Sequence, residues 1–187
     1  MRCTVLILLV FQISHAIVAQ EVLEKRTMNV NDFKEGVYVT DEDLDRFIGT
    51  WEWSQNQDTY RIYLEKRTKK HLQVFNAYMD QVEGLHTLIV GGVILENSTN
   101  WTYPSITGGG TGGGAHHLGF RFHDISKDKH SSATLELLDP TGRVRVGSQA
   151  RFQVSDRGKF IINGMDGNKP FHAGFTVPTD VIMTKVE

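Results

Sequence analysis

Phe47-Ile48-Gly49-Thr50-Trp51 decides the fold, because it joins a short helix signal to the first of many alternating segments. Upstream, Thr40-Asp41-Glu42-Asp43-Leu44-Asp45-Arg46-Phe47 reads as one or two helical turns. Thr40 is placed to cap the start, and Asp41, Glu42 and Asp43 suit the positive end of the helix dipole. Leu44 with Phe47 or Ile48 gives the turn one apolar face, and Gly49 is expected to end it. From Trp51 onward the period is two, and Trp51 and Trp53 fall on one face of a first strand.

Over Thr59 to Lys66, Tyr60, Ile62 and Leu64 alternate with Arg61, Tyr63 and Glu65. Leu118, Phe120 and Phe122 alternate with Gly119, Arg121 and His123. Leu135 and Leu137, then Val144 and Val146, then Ala150, Phe152 and Val154 continue the pattern. Such alternation sets one face of an antiparallel strand on a core and the other in water. Reversals at Gly91-Gly92, Asp139-Pro140-Thr141-Gly142, Asp156-Arg157-Gly158, Asn163-Gly164 and Asp166-Gly167-Asn168 separate the segments. The chain is therefore expected to be all-β: a single antiparallel β-barrel or clam of about eight to ten strands, with a short helix before the first.

The 187 residues suffice for one domain with a full core. Arg2, the apolar run from Val5 to Phe11 and the small residues Ala16 and Ala19 read as an export signal, with a run too short to span a bilayer. Cleavage is expected after Ala19. The expected organisation is a signal peptide 1–19, an N-terminal arm 20–39 and a barrel domain 40–187, exported to the periplasm or the extracellular space. Cleavage removes Cys3, the one cysteine, so no disulfide, thiolate or Cys-based metal site is expected. Loss of Arg2 from the 20 Lys and Arg leaves 19 against 22 Asp and Glu. A mildly acidic chain with no basic run offers no footprint for nucleic acid, and no later apolar stretch is long enough to cross a membrane.

Gly36-Val37-Tyr38-Val39, Leu44-Asp45-Arg46-Phe47-Ile48-Gly49-Thr50-Trp51 and Tyr60-Arg61-Ile62-Tyr63-Leu64-Glu65-Lys66 form a set with Tyr78-Met79-Asp80, the Glu83-Gly84 strand with its Gly91-Gly92 turn, and Val177-Pro178-Thr179-Asp180-Val181-Ile182-Met183-Thr184-Lys185. In these segments the chain resembles a family of small exported Bacteroidota proteins of uncharacterised function, over most of its length after residue 36. More widely, the short helix, Gly-x-Trp and first strand are similar to the opening of lipocalin-type barrels. That likeness implies a lipocalin-like barrel in which Trp51 plugs the closed end against a basic residue of the last strand, with Lys185 as the candidate. Gly49, Trp51 and Lys185 are therefore expected to carry structure. The lipocalin disulfide has no counterpart here, and the family brings no activity with it.

Gly108-Gly109-Gly110-Thr111-Gly112-Gly113-Gly114 invites a phosphate-cradle reading. A cradle needs a helix N-terminus behind it, and the strand pattern Leu118-Gly119-Phe120-Arg121-Phe122 follows instead. A flexible linker, or a flap over a barrel mouth, is the expected role. His116 and His117 end that loop, and His123 lies on the next strand. Adjacent strand residues face opposite ways, and no third His or carboxylate sits at a recognised metal-binding spacing. No metal site is expected; the histidines are read as surface groups, with a His117–His123 pair as the alternative. His71, His86, His130 and His172 are scattered. Trp101 and Tyr103, just before the glycine run, are read as core packing or as the lining of a mouth or binding surface.

There is no Gly-x-Ser-x-Gly elbow and no cofactor motif, and no carboxylate pair can be assigned. The expectation is an exported, non-catalytic barrel without a cofactor that binds a small apolar ligand. The alternative is an envelope structural or protein-interaction module with no ligand cavity. The binding candidates are Trp101, Tyr103, His116, His117 and His123.

Overall fold

The alternating segments become strands that close on themselves. A computed structural model describes residues 20–25, 34–111, 114–155 and 174–187. The expected signal peptide, His172 and the reversals at 156–158, 163–164 and 166–168 lie outside the described residues. The strands are β1 (Val22–Glu24), β2 (Tyr38–Thr40), β3 (Gly49–Gln55), β4 (Asp58–Leu72), β5 (Ala77–Val90), β6 (Val93–Asn97), β7 (Ile106–Gly110), β8 (His117–Asp124), β9 (Lys129–Leu137), β10 (Gln149–Val154) and β11 (Asp180–Lys185). Eight of them run antiparallel around a barrel in the order β5-β4-β3-β11-β10-β9-β8-β7. Glu83 opposite Thr107 and Gly84 opposite Ile106 pair β7 with β5 and close it. The expected all-β, lipocalin-like barrel is what the chain forms.

The barrel's lower end carries a 3-10 turn, Glu42–Arg46, whose Leu44 is buried with the following Phe47 in the core. Its cap differs from the expected one. Asp41 occupies the N-cap but its carboxylate makes no capping bond to the turn, accepting instead from Lys25 Nζ at 2.8 Å and from the Thr111 hydroxyl, and the Thr40 hydroxyl donates to the Leu23 carbonyl at 3.3 Å. Thr40 is part of β2, so its side chain is drawn to the neighbouring strand. Gly49 does not end the turn but opens β3, and its role is a close approach. Its φ is +119°, and a Cβ there would lie 2.2 Å from the Glu187 carbonyl oxygen.

The interior is filled by the residues whose alternation marked the strands. Trp51, Tyr60, Ile62, Leu64, Phe122 and Phe152 are among its largest fully buried side chains. Each such burial contributes about 1.5–3 kcal/mol to stability. The outer face is charged: Arg61 opposite Glu52, Glu83 between Arg67 and Lys70, and Arg151 on Asp180. A barrel that crosses a membrane has the reverse arrangement, apolar outside. Among the described residues no helix is long and apolar enough to cross one either.

Three segments depart from expectation. Val37-Tyr38-Val39, in the segment expected as an N-terminal arm with this stretch able to pair as an edge strand, joins the sheet with a further strand outside it: β2 runs parallel to β5, Tyr38 beside Tyr78, and β1 adds in parallel to β2. The buried Asp80 fixes this attachment: it accepts from the Tyr38 hydroxyl at 2.6 Å and the Lys69 N–H at 3.1 Å, with Lys66 Nζ 3.6 Å away. Gly108-Gly109-Gly110 is not linker but part of β7. A Cβ on Gly109 would stand 3.0 Å from Val82 and 3.1 Å from Leu118, so only glycine lets β7 lie this close to the core. Gly108, at φ +59°, sits in the register shift between β7 and β8. Finally, Val144 and Val146 form no strand. Segment 138–148 turns through Gly147 (φ +87°) and runs back onto β11, Gly147 N–H to the Lys185 carbonyl and Lys185 N–H to the Ser148 carbonyl, each 2.8 Å.

Candidate functional site

The upper end of the barrel gathers the polar groups that the apolar alternation cannot explain. β5 brings His86 into the interior, β6 brings Glu96, and the segment between β6 and β7 brings Ser98 and Ser105. All four are buried. Ser98 Oγ donates to the His86 carbonyl at 3.0 Å and accepts from the His86 N–H at 2.6 Å. Ser105 Oγ donates to Ser98 Oγ at 2.9 Å. With that proton committed, Ser105 Oγ accepts from His86 Nδ1, 2.7 Å away. His86 Nε2 faces Glu96 Oε1 at 3.5 Å. Glu96 Oε1 also accepts from the Ile125 N–H and, at 3.0 Å, the Ser126 N–H.

Hydroxyl, imidazole and carboxylate thus occur in the order of an acyl-transfer triad. The chemistry does not follow from the order. Ser105 is buried and its proton is held by Ser98, so the oxygen neither reaches a substrate nor passes its proton to the ring. The group ties β5, β6 and the β8–β9 turn together where β6 takes over from β7 along β5. Burial pushes the Glu96 carboxyl up, but His86 and the two N–H groups outweigh it and hold it below the ordinary range. The Tyr60 phenol beside them is pushed well above its usual value by burial and by the Glu96 and Asp124 carboxylates, so it stays neutral. Among the described residues, Tyr60 Oη, His86 Nε2 and Glu96 Oε2 have no hydrogen-bond partner.

On the outer side of the same end, β8 and β9 form a hairpin in which His123 lies directly opposite His130. The His123 N–H is spent on the Ser105 carbonyl at 2.8 Å, so this pair is of the non-hydrogen-bonded kind, in which side chains approach most closely. The two rings stack 3.9 Å apart, and Asp128, in the turn between them, places Oδ1 3.3 Å from His123 Nε2. One donor atom from each of His123, Asp128 and His130 lies within 4.8 Å of the other two. The Trp101 ring meets His123 edge-on at 5.7 Å.

The candidates from sequence therefore separate. Trp101 and His123 come together at the upper end. Tyr103 is two residues from Trp101 and 76% exposed, and Trp101 is 46% exposed, so neither packs in the core. His116 and His117 are at the lower end, on the segment entering β8. His117 and His123 are six residues apart on one strand, roughly 20 Å, too far to share a ligand. His86, Glu96, Ser105, Asp128 and His130 were not legible as a group. His130 has a signal in hindsight: with 125–128 as a four-residue turn, His123 must face it.

A search of curated proteins found no match, and a search of solved structures found none. The model of a family of unknown function, DUF6705, matches residues 1–108 and 99–186, and with most of its length covered the chain belongs to that family.

Proposed function

We propose that this protein is an exported, non-enzymatic interaction module that engages a protein partner with the surface of its upper end. The observation that carries the reading is where the apolar surface lies. The barrel interior is packed with its own side chains, which leaves carriage of a small apolar ligand without support. Exposed apolar side chains instead concentrate on the β5–β6 hairpin and the segment after it: Val90, Val93, Ile94 and Leu95, then Trp101 and Tyr103. Val93 and Ile94 are each 62% exposed. Aromatic and aliphatic anchors of this kind mark interaction surfaces. Among the described strands β6 pairs with β5 alone, so its other edge is open to strand addition apart from a Ser126 hydroxyl on the Leu95 carbonyl. Export rests on Arg2, the apolar run to Phe11 and the small residues at Ala16 and Ala19.

Site-specific photocrosslinking in the native host tests the reading. A photoreactive residue at Ile94 should give a discrete protein adduct, and one at the exposed lower-end Val74 should not. Native mass spectrometry of the protein from the same cells is the counter-test. A small molecule released on denaturation, with no adduct at position 94, would overturn the interaction reading in favour of ligand carriage.

A further inference from the structure

We propose that His123, Asp128 and His130 form a binding site for a borderline divalent transition-metal ion, zinc above all, on the outer face of the β8–β9 hairpin. Three observations carry it, none of which concerns the partner surface. First, the hairpin register fixes the two histidines opposite each other in the close, non-hydrogen-bonded kind of pair, so their approach follows from the backbone. Second, the turn supplies the third donor. Asp128 holds φ +48°, a left-handed conformation that Asp tolerates better than most residues, and this brings its carboxylate to 3.3 Å from His123 Nε2. Third, one donor atom from each of the three lies within 4.8 Å of the other two, so modest side-chain rotation lets them converge on one ion.

The chemistry of the set selects the ion. Two imidazoles and one carboxylate suit zinc, copper, nickel or cobalt, whereas magnesium and calcium require oxygen donors. Metal ligation needs neutral imidazole. His130 is exposed and free to turn from stacking to edge-on ligation, while Trp101 flanks His123. Three protein ligands leave a coordination position for water or for a donor from a second molecule.

The test uses untagged protein, metal-stripped and then titrated with zinc at micromolar concentration. Native mass spectrometry should show one zinc per chain. His130→Ala should weaken binding by a factor of at least about ten, as should Asp128→Asn, while His71→Ala, a histidine elsewhere on the surface, should leave it unchanged. Cobalt or copper should quench Trp101 fluorescence, and Trp101→Phe should remove the quenching while retaining the metal. Because His130 and Asp128 are exposed, their variants keep the fold, which circular dichroism verifies. No zinc adduct on the wild-type protein, or an adduct indifferent to both His130→Ala and Asp128→Asn, would overturn the proposal.

Discussion

Lys185 Nζ stands 5.7 Å from the centre of the Trp51 ring and donates to the Ile48 carbonyl. One ammonium thus joins the last barrel strand to the first strand's aromatic plug and to the turn that precedes it. The likeness to lipocalin-type barrels anticipated this pairing. Lys185→Met keeps the stem's packing and removes the charge. We predict a loss of about 1–3 kcal/mol, read as a fall in the urea midpoint with an unchanged slope.

Gly49→Ala is predicted to be costly for two separable reasons. Its φ of +119° strains any side chain, and the Glu187 carbonyl oxygen occupies the space a Cβ needs, at 2.2 Å. Deleting Glu187 removes the clash and leaves the strain. The deletion also removes the bonds Glu187 accepts from the Thr50 N–H and hydroxyl, so the double variant should lose less than the sum of the two single losses, measured by thermal melts of the four proteins in the cycle. Additive losses would show that the clash is relieved in some other way.

Arg46 donates to the carbonyls of Ala115, Pro140 and Gly142 at 2.7, 3.0 and 3.0 Å. One guanidinium fork holds two lower-end segments against the 3-10 turn. Lysine offers no fork of this geometry. Arg46→Lys should therefore behave almost as Arg46→Ala, with a loss of about 1–3 kcal/mol. Amide exchange should quicken over 138–148 in both variants and remain unchanged at the upper end.

Glu96 gives a pH signature. Its carboxyl is held below its ordinary 4.5 in the folded protein, since His86 and the Ser126 and Ile125 N–H groups outweigh burial. A carboxyl depressed by folding adds stability above its unfolded pKa and loses it as pH falls through the folded value. Glu96→Gln should narrow its stability deficit relative to wild type as pH drops below 4.5. Urea melts from about pH 7 to about pH 3 check this. A constant difference across that range would mean that Glu96 does not titrate with folding.

The strands were legible wherever alternation was long. Tyr60, Ile62 and Leu64 mark β4, and Leu118, Phe120 and Phe122 mark β8, because one buried face forces period two on the sequence. Val144 and Val146 alternate as well, yet two residues cannot outweigh turn-forming glycines on either side. The glycine run misled for a different reason. Flexibility and close approach call for the same residue, and only the positions of Val82 and Leu118 show that close approach governs Gly109. The upper-end groups were illegible because they depend on register. His86 looks like any other histidine until β6 and the segment before β7 carry Glu96 and Ser105 to it, and His123 meets His130 through a turn whose length had to be known first.

The seam between β3 and β11 has a consequence for how the molecule comes into being. Lys185 and Ile48 are 137 residues apart in the chain. Chain entropy alone makes this a modest handicap, since a tenfold longer loop costs only about 2 kcal/mol more to close. Timing is the greater constraint. Until the segment 180–185 has been synthesised, β3 and β10 each lie at an open edge, and such edges invite pairing with other chains. A chain without that segment is an unsealed sheet, and truncation before Asp180 should yield aggregating material rather than a smaller barrel.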